Sequence, residues 1–123
     1  MLTVTKRFHF CYGHFLPEYQ GKCSQKHGHN AELEITVSGQ YEGKGEYEGM
    51  VVDFGILSKL VSPILERFDH QFLNSIMEIP TAENMAEYIF STLMYSISPS
   101  KNGLTLEKVK VSETPDSWAE VTK

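Results

Sequence analysis

Apolar and polar residues alternate more cleanly from residue 27 to residue 37 than in the preceding strand pattern, and this alternation does most to limit how the chain folds. One face of the segment carries Ala31, Leu33, Ile35 and Val37. The other face carries Asn30, Glu32, Glu34, Thr36 and Ser38. Because successive side chains of a strand point to opposite sides of its sheet, the pattern predicts a strand with one buried face. A second strand is predicted over residues 2–14, where the apolar face carries Leu2, Val4, Phe8, Phe10 and Tyr12.

Two amphipathic helices and a further strand follow these two strands. Helical spacing of apolar residues begins after Asp53, a predicted N-cap, and again after Pro80-Thr81. We expect Pro63 to kink the first helix or to limit its regularity, and residues 98–103 to end the second helix. The glycine-rich stretch over residues 39–49 predicts a hairpin-like excursion, residues 108–114 a strand, and residues 118–121 a short closing strand. This order predicts an α+β fold with helices on one face of the sheet, and we expect oligomerisation to cover the other face.

Length and charge narrow the classes of function. The 123 residues suit a single domain spanning 1–123. With 11 basic against 16 acidic residues and no cluster of lysine and arginine, the chain is a poor candidate for binding nucleic acid. No apolar run approaches the roughly 18 residues that a membrane span needs, and the first residues lack a signal-peptide pattern, so we expect a cytoplasmic protein. A cytoplasmic location also favours reduced cysteines.

Three of the five histidines lie at the ends of the predicted inward faces. His27 and His29 are two residues apart on one strand, and His14 extends the inward face of the other. Three imidazoles fill three positions of a tetrahedral zinc ion and leave the fourth for water or substrate, which is the pattern of a catalytic site. The alternative is that His27-Gly28-His29 forms a turn with two solvated histidines. His9 lies on the opposite face and is predicted to be exposed or structural.

Cys23 lies in a polar loop shortly before the histidine pair. The cations Lys22 and Lys26 flank it and favour a reactive thiolate, and a fourth zinc ligand is the alternative role. The spacing alone leaves both roles open.

Two further features carry acidic or basic side chains. Asp69-His70 follows the first helix and suits either acid–base chemistry or capping of the helix C-terminus. Glu113 shares the inward face of its strand with Val109 and Val111, where a carboxylate needs hydrogen-bond donors. A ligand with two neighbouring N–H groups would supply them, and the alternative is that the strand ends before Glu113 and leaves it in solvent.

These residues, taken in order, resemble the 6-pyruvoyltetrahydropterin synthase / 6-carboxytetrahydropterin synthase family. The motifs that carry the resemblance are Cys23-Ser24-Gln25-Lys26-His27-Gly28-His29, Val52-Asp53-Phe54, Phe68-Asp69-His70, Pro80-Thr81-Ala82-Glu83-Asn84 and Ser112-Glu113-Thr114. The resemblance implies a tunnelling fold, in which two antiparallel helices cover a four-stranded antiparallel sheet. It also implies trimers that close a twelve-stranded barrel, a hexamer of two stacked trimers, and active sites between subunits.

The three residues between Cys23 and His27 resemble the 6-carboxy branch, which acts in queuosine (7-deazapurine) biosynthesis, whereas animal-type pyruvoyl members have a longer gap. The implied reaction converts 7,8-dihydroneopterin triphosphate to 6-carboxy-5,6,7,8-tetrahydropterin, acetaldehyde and triphosphate. One alternative stops at 6-pyruvoyltetrahydropterin, and another is a zinc- and pterin-binding oligomer without turnover.

The resemblance also assigns roles to individual residues. His14, His27 and His29 resemble the zinc ligands, and Cys23 resembles the general base. His70, oriented by Asp69, resembles a proton relay, while Glu113 resembles the anchor that accepts hydrogen bonds from the pterin ring. Tyr12-Gly13 departs from the family, whose members often have small residues before the first histidine.

Overall fold

Five strands form one sheet in the order β3-β1-β2-β4-β5. The structure is a computed structural model that describes residues 1–41 and 45–123. The strands are β1 (Thr3–His14), β2 (His27–Gly39), β3 (Gln71–Phe72), β4 (Leu104–Thr114) and β5 (Ser117–Thr122). The pairs β1–β2, β2–β4 and β4–β5 are antiparallel. The predicted α+β fold is confirmed, and so are the alternating strands.

The four predicted antiparallel strands are β1, β2, β4 and β5, and β3 adds a short fifth strand that was not predicted. The chain leaving the first helix runs beside the end of β1 and pairs with it in parallel over two residues, with Gln71 opposite Tyr12 and Phe72 opposite Gly13. So short a pairing has no alternation of its own to reveal it in the sequence.

Three helices follow β2: α1 (Phe54–Phe68), α2 (Ala82–Leu93) and α3 (Pro99–Asn102). The two predicted starts are confirmed, because the Asp53 carboxylate accepts hydrogen bonds from the first amides of α1 and the Thr81 hydroxyl accepts one in α2. The segment predicted only to end the second helix forms α3, which begins with Pro99 and stops at Gly103 in the left-handed region. Within the described residues, no helix has the length and hydropathy to cross a bilayer. The predicted excursion over residues 39–49 falls partly on residues 42–44, which lie outside the described residues.

Pro63 lies inside α1 without ending it. Proline removes the hydrogen bond that its N–H would give to the carbonyl four residues earlier, which is that of Lys59. Pro63 is on the exposed face of the helix, and the Ser62 hydroxyl donates to the same Lys59 carbonyl at 3.4 Å. The unpaired carbonyl is therefore satisfied, and α1 continues to Phe68.

The core lies between the helices and one face of the sheet, and a bulge in β4 keeps that strand on it. Leu104 and Leu106 are buried at even positions, whereas Val109 and Val111 are buried at odd ones. The pairing with β2 shifts by one residue at this point, so that Glu107 is the extra residue. A one-residue bulge reverses the side to which later side chains point, and it therefore returns the C-terminal half of β4 to the core.

The second face of the sheet is polar. Arg7 lies 3.3 Å from Glu32 and 3.5 Å from Glu34, and the Lys110 ammonium lies 3.4 Å from Glu34 and 4.0 Å from the centre of the Trp118 ring. Charges of both signs on strands β1, β2 and β4 thus form one network across this face.

Candidate metal centre and active site

The three imidazoles predicted from the strand pattern meet at one end of the sheet. His14 and His27 are direct cross-strand partners at the ends of β1 and β2, and His29 lies two pairs further along, opposite Tyr12. The Nε2 atom of His14 is 2.9 Å from that of His27 and 3.1 Å from that of His29. His14 is buried, while the other two are half-buried, so the cluster is open on one side.

Backbone carbonyls fix which ring nitrogen carries the proton. Nδ1 of His14 lies 2.8 Å from the Pro80 carbonyl oxygen, and Nδ1 of His27 lies 2.7 Å from that of Gln25. A carbonyl only accepts, so both Nδ1 atoms are donors and both Nε2 atoms hold lone pairs. Two lone pairs 2.9 Å apart have no proton between them in the neutral rings, and a cation satisfies both.

The donor set fits zinc. Zn–N bonds of about 2.0–2.1 Å in a tetrahedron hold ligand nitrogens roughly 3.3 Å apart, close to the observed separations. Burial lowers the pKa of His29, and the nearby His14 and His27 lower it further, while Glu113 opposes them. The neutral imidazole is the form that binds a metal. The described residues give this cluster three members, all of them histidines, and Cys23 is not one of them.

Glu113 lies beside the imidazole cluster. Its side chain is 25% exposed, and its Oε1 atom lies 3.9 Å from Nε2 of His14. The Tyr12 hydroxyl donates to the same oxygen at 3.2 Å. Burial raises the pKa of Tyr12, and the Glu113 carboxylate raises it further, so the phenol remains a donor. Glu113 also lines an open groove of about 410 Å³ together with Trp118.

Cys23 lies on a single 3-10 turn, Lys22–Ser24, in the loop between β1 and β2. The amide of Leu16 donates to its carbonyl at 2.7 Å and closes the base of the loop. The half-buried cysteine shares a groove of about 450 Å³ with Lys22, Lys26 and His27. A thiol, two ammonium groups and a candidate metal ligand therefore border one space.

Asp69 and His70 form a pair at the end of α1, on the far side of β1. The Asp69 Oδ1 atom lies 3.0 Å from Nδ1 of His70 and accepts from the Cys11 amide at 2.9 Å. The Cys11 amide holds the pKa of Asp69 below its usual range, and His70 adds to the effect. The His70 side chain is 79% exposed. Within the described part of this protomer, no hydrogen bond or ion pair joins the pair to the imidazole cluster.

Several contacts at the site carry no sequence signal. The backbone carbonyls of Pro80 and Gln25 are invisible to a residue pattern, although both orient imidazoles. The side-chain amide of Asn74 pairs with both backbone groups of Phe15, the residue after His14, at 3.0 Å each. Tyr12 did leave a signal, because a phenol on a buried face requires an acceptor.

The chain is similar to known proteins along nearly its whole length. Residues 3–123 match the 6-pyruvoyl tetrahydropterin synthase family. A protein of Archaeoglobus fulgidus is 39% identical over 114 residues, which cover 93% of this chain and 90% of the relative. A Synechocystis protein named 6-carboxy-5,6,7,8-tetrahydropterin synthase is 35% identical over 123 residues, covering 97% and 92%. The structure of Caenorhabditis elegans 6-pyruvoyl tetrahydropterin synthase superposes with a TM-score of 0.81 at 27% identity, covering 99% of this chain and 95% of that one.

Proposed function

The chain belongs to the 6-pyruvoyl tetrahydropterin synthase family, and from this membership we propose that it is a zinc-dependent lyase of the 6-carboxytetrahydropterin branch. Its substrate would be 7,8-dihydroneopterin triphosphate, and its products 6-carboxy-5,6,7,8-tetrahydropterin, acetaldehyde and triphosphate. We place the reaction in queuosine biosynthesis and in the cytoplasm. The observation that carries the proposal is the convergence of three imidazole Nε2 atoms, two of them with Nδ1 committed to backbone carbonyls.

His14, His27 and His29 would hold the zinc ion and leave one side open to the substrate. Bound there, zinc supplies a Lewis acid that stabilises enolate-like negative charge developing on the substrate side chain. The Pro80 and Gln25 carbonyls keep the imidazole rings in the orientation that this role requires.

Cys23 would act as the general base that takes a proton from the substrate side chain. Its groove borders His27, so a substrate held at the imidazoles extends past the thiol. Lys22 and Lys26 line the same groove and are the cations that we assign to the triphosphate.

Glu113 would anchor the pterin ring. Its carboxylate stands between the imidazole cluster and an open groove, and two oxygens in one plane match the amino and ring N–H groups on one edge of a pterin. The anchor and the zinc ligands would then contact the same substrate.

Asp69 and His70 would serve the active site of a neighbouring subunit as a proton relay. Within the described part of their own chain, no hydrogen bond or ion pair connects them to the imidazoles, and the His70 ring is exposed. We propose the hexamer of two stacked trimers that the family resemblance implies.

Incubation of the zinc-loaded protein with 7,8-dihydroneopterin triphosphate tests the proposal. Release of acetaldehyde together with 6-carboxytetrahydropterin is the expected result. A pyruvoyl product without acetaldehyde would support the second candidate, which the structural likeness to the Caenorhabditis elegans enzyme favours. Protein that holds zinc and binds pterin but gives no product would be a binding oligomer, and the lyase proposal would be wrong.

A further inference from the structure

Tyr12 is placed between the imidazole cluster and Glu113. It is buried in β1, directly across from His29 in β2. Its ring centre lies 5.1 Å from that of His14 and 5.4 Å from that of His29. The ring also stacks on Phe10 at 5.5 Å. These contacts leave the ring little freedom to move, so its hydroxyl is a fixed point beside the cluster.

The Tyr12 hydroxyl reaches past β2 to Glu113 in β4. The two residues are 101 positions apart in the chain, and their hydrogen bond to Oε1 is 3.2 Å long. Among residues 1–41 and 45–123, no hydrogen bond to Oε2 of Glu113 is found. An ionised carboxylate offers about four acceptor positions on its two oxygens, so one bond from Tyr12 leaves most of them open to a ligand.

The pairing of β4 with β5 is irregular at Glu113. The pairing of β4 with β5 shifts between Ser112 and Thr114, so Glu113 has no direct partner in β5. An irregular position of this kind re-aims a side chain and gives up the regular pairing that would fix it. The hydroxyl of Tyr12 is the one fixed hydrogen-bond donor to this carboxylate in the described part of the chain.

We propose that Tyr12 is a positioning residue that orients the Glu113 carboxylate and thereby sets the preference for pteridines with two neighbouring N–H donors. The inference rests on the proposed function, because it takes Glu113 as the pterin anchor. With the plane of the carboxylate fixed, both oxygens face the amino and ring N–H groups of one ligand edge together. A freely turning carboxylate loses affinity for that edge, since the ligand must first order it.

Pterin and lumazine are the probes that test this inference. They differ at position 2, where pterin carries an amino group and lumazine an oxo group. Dissociation constants of both are measured by fluorescence on zinc-loaded protein, for the wild type, Tyr12→Phe, Glu113→Gln and the double variant. Tyr95→Phe is the matched control, because this tyrosine is 78% exposed. Zinc content and melting temperature are recorded for every variant.

We expect Tyr12→Phe to weaken pterin binding about tenfold and to change lumazine binding by less than about twofold, because only pterin uses both donors. In the Glu113→Gln background, Tyr12→Phe should change pterin affinity by less than about twofold. Tyr95→Phe should match the wild type in both affinities.

Equal pterin-to-lumazine preference in Tyr12→Phe and the wild type would overturn the inference, as would an equal effect of Tyr12→Phe in both backgrounds. Partial misfolding lowers both affinities alike and leaves their ratio unchanged, so it cannot imitate the expected result. If Glu113→Gln binds pterin as tightly as the wild type, the anchor role is wrong and the inference falls with it. If Glu113→Gln weakens binding and Tyr12→Phe does not, the positioning role alone is wrong.

Discussion

Zinc should stabilise the folded protein through His14, and replacing this residue by alanine should abolish that effect. His14 is the central member of the imidazole cluster, because its Nε2 atom is 2.9 Å and 3.1 Å from those of the other two histidines. A ligand that binds only the folded state at about one hundred times its dissociation constant adds about 2.7 kcal/mol to the free energy of unfolding. An unfolding entropy of about 2.1 cal/mol/K per residue gives about 260 cal/mol/K for 123 residues. The expected rise in melting temperature is therefore about 10 °C.

The assay is a pair of thermal melts for each variant, one with chelator and one with excess zinc. His9→Ala is the matched control, because His9 lies on the same strand but on the opposite face, with 74% of its side chain exposed. We expect His9→Ala to keep the full rise and His14→Ala to show less than about 2 °C, since two remaining imidazoles bind zinc much more weakly. If His14→Ala keeps the wild-type rise, or His9→Ala loses it, the reasoning from the cluster geometry is refuted.

Cys23→Ala should lower turnover at least a hundredfold, which is the lower end of what a general base contributes, while zinc stays near one per chain. Cys11→Ala is the control and should retain activity. Loss of zinc from Cys23→Ala would instead make Cys23 a zinc ligand. Asp69→Asn should lower the free energy of unfolding at neutral pH. The folded-state pKa of Asp69 is lowered, so its stabilisation is present above the usual pKa of about 3.9 and is lost as the pH falls through the lowered value. Urea unfolding of both proteins between pH 7 and pH 2 checks this, and a difference that persists at the lowest pH would contradict it. Asp53→Ala should lower the free energy of unfolding by about 1 kcal/mol, because it removes two hydrogen bonds at the start of α1. Asp53→Asn retains an acceptor and should lower it less. Equal losses for the two variants in urea unfolding would be evidence against the cap.

Local patterns predicted most of the fold. The alternation in β2 assigned Leu33 and Ile35 to the core, and both are fully buried. The same period placed His14, His27 and His29 on one face, and the structure brings their side chains together. These predictions succeed because the period of a strand is a property of its own residues and needs no knowledge of its partner.

Features that depend on a distant partner were not predictable. β3 exists because Gln71 and Phe72 pass beside β1. The bulge at Glu107 depends on how β4 pairs with β2, so the local sequence of β4 does not predict it. In each case the deciding contact joins segments far apart in the chain, so the sequence of either segment alone does not reveal it.

The hydrogen bond from His27 to the Gln25 carbonyl ties the metal centre to the loop that carries Cys23, two residues away. Linkage between two equilibria is reciprocal. By whatever factor zinc favours the ordered form of this loop, order in the loop favours zinc binding by the same factor. The supply of zinc would then affect the order of the Cys23 loop as well as the presence of a Lewis acid. In a zinc-poor cell the protein would then hold its Cys23 thiol less firmly, by the same factor by which order in the loop favours zinc.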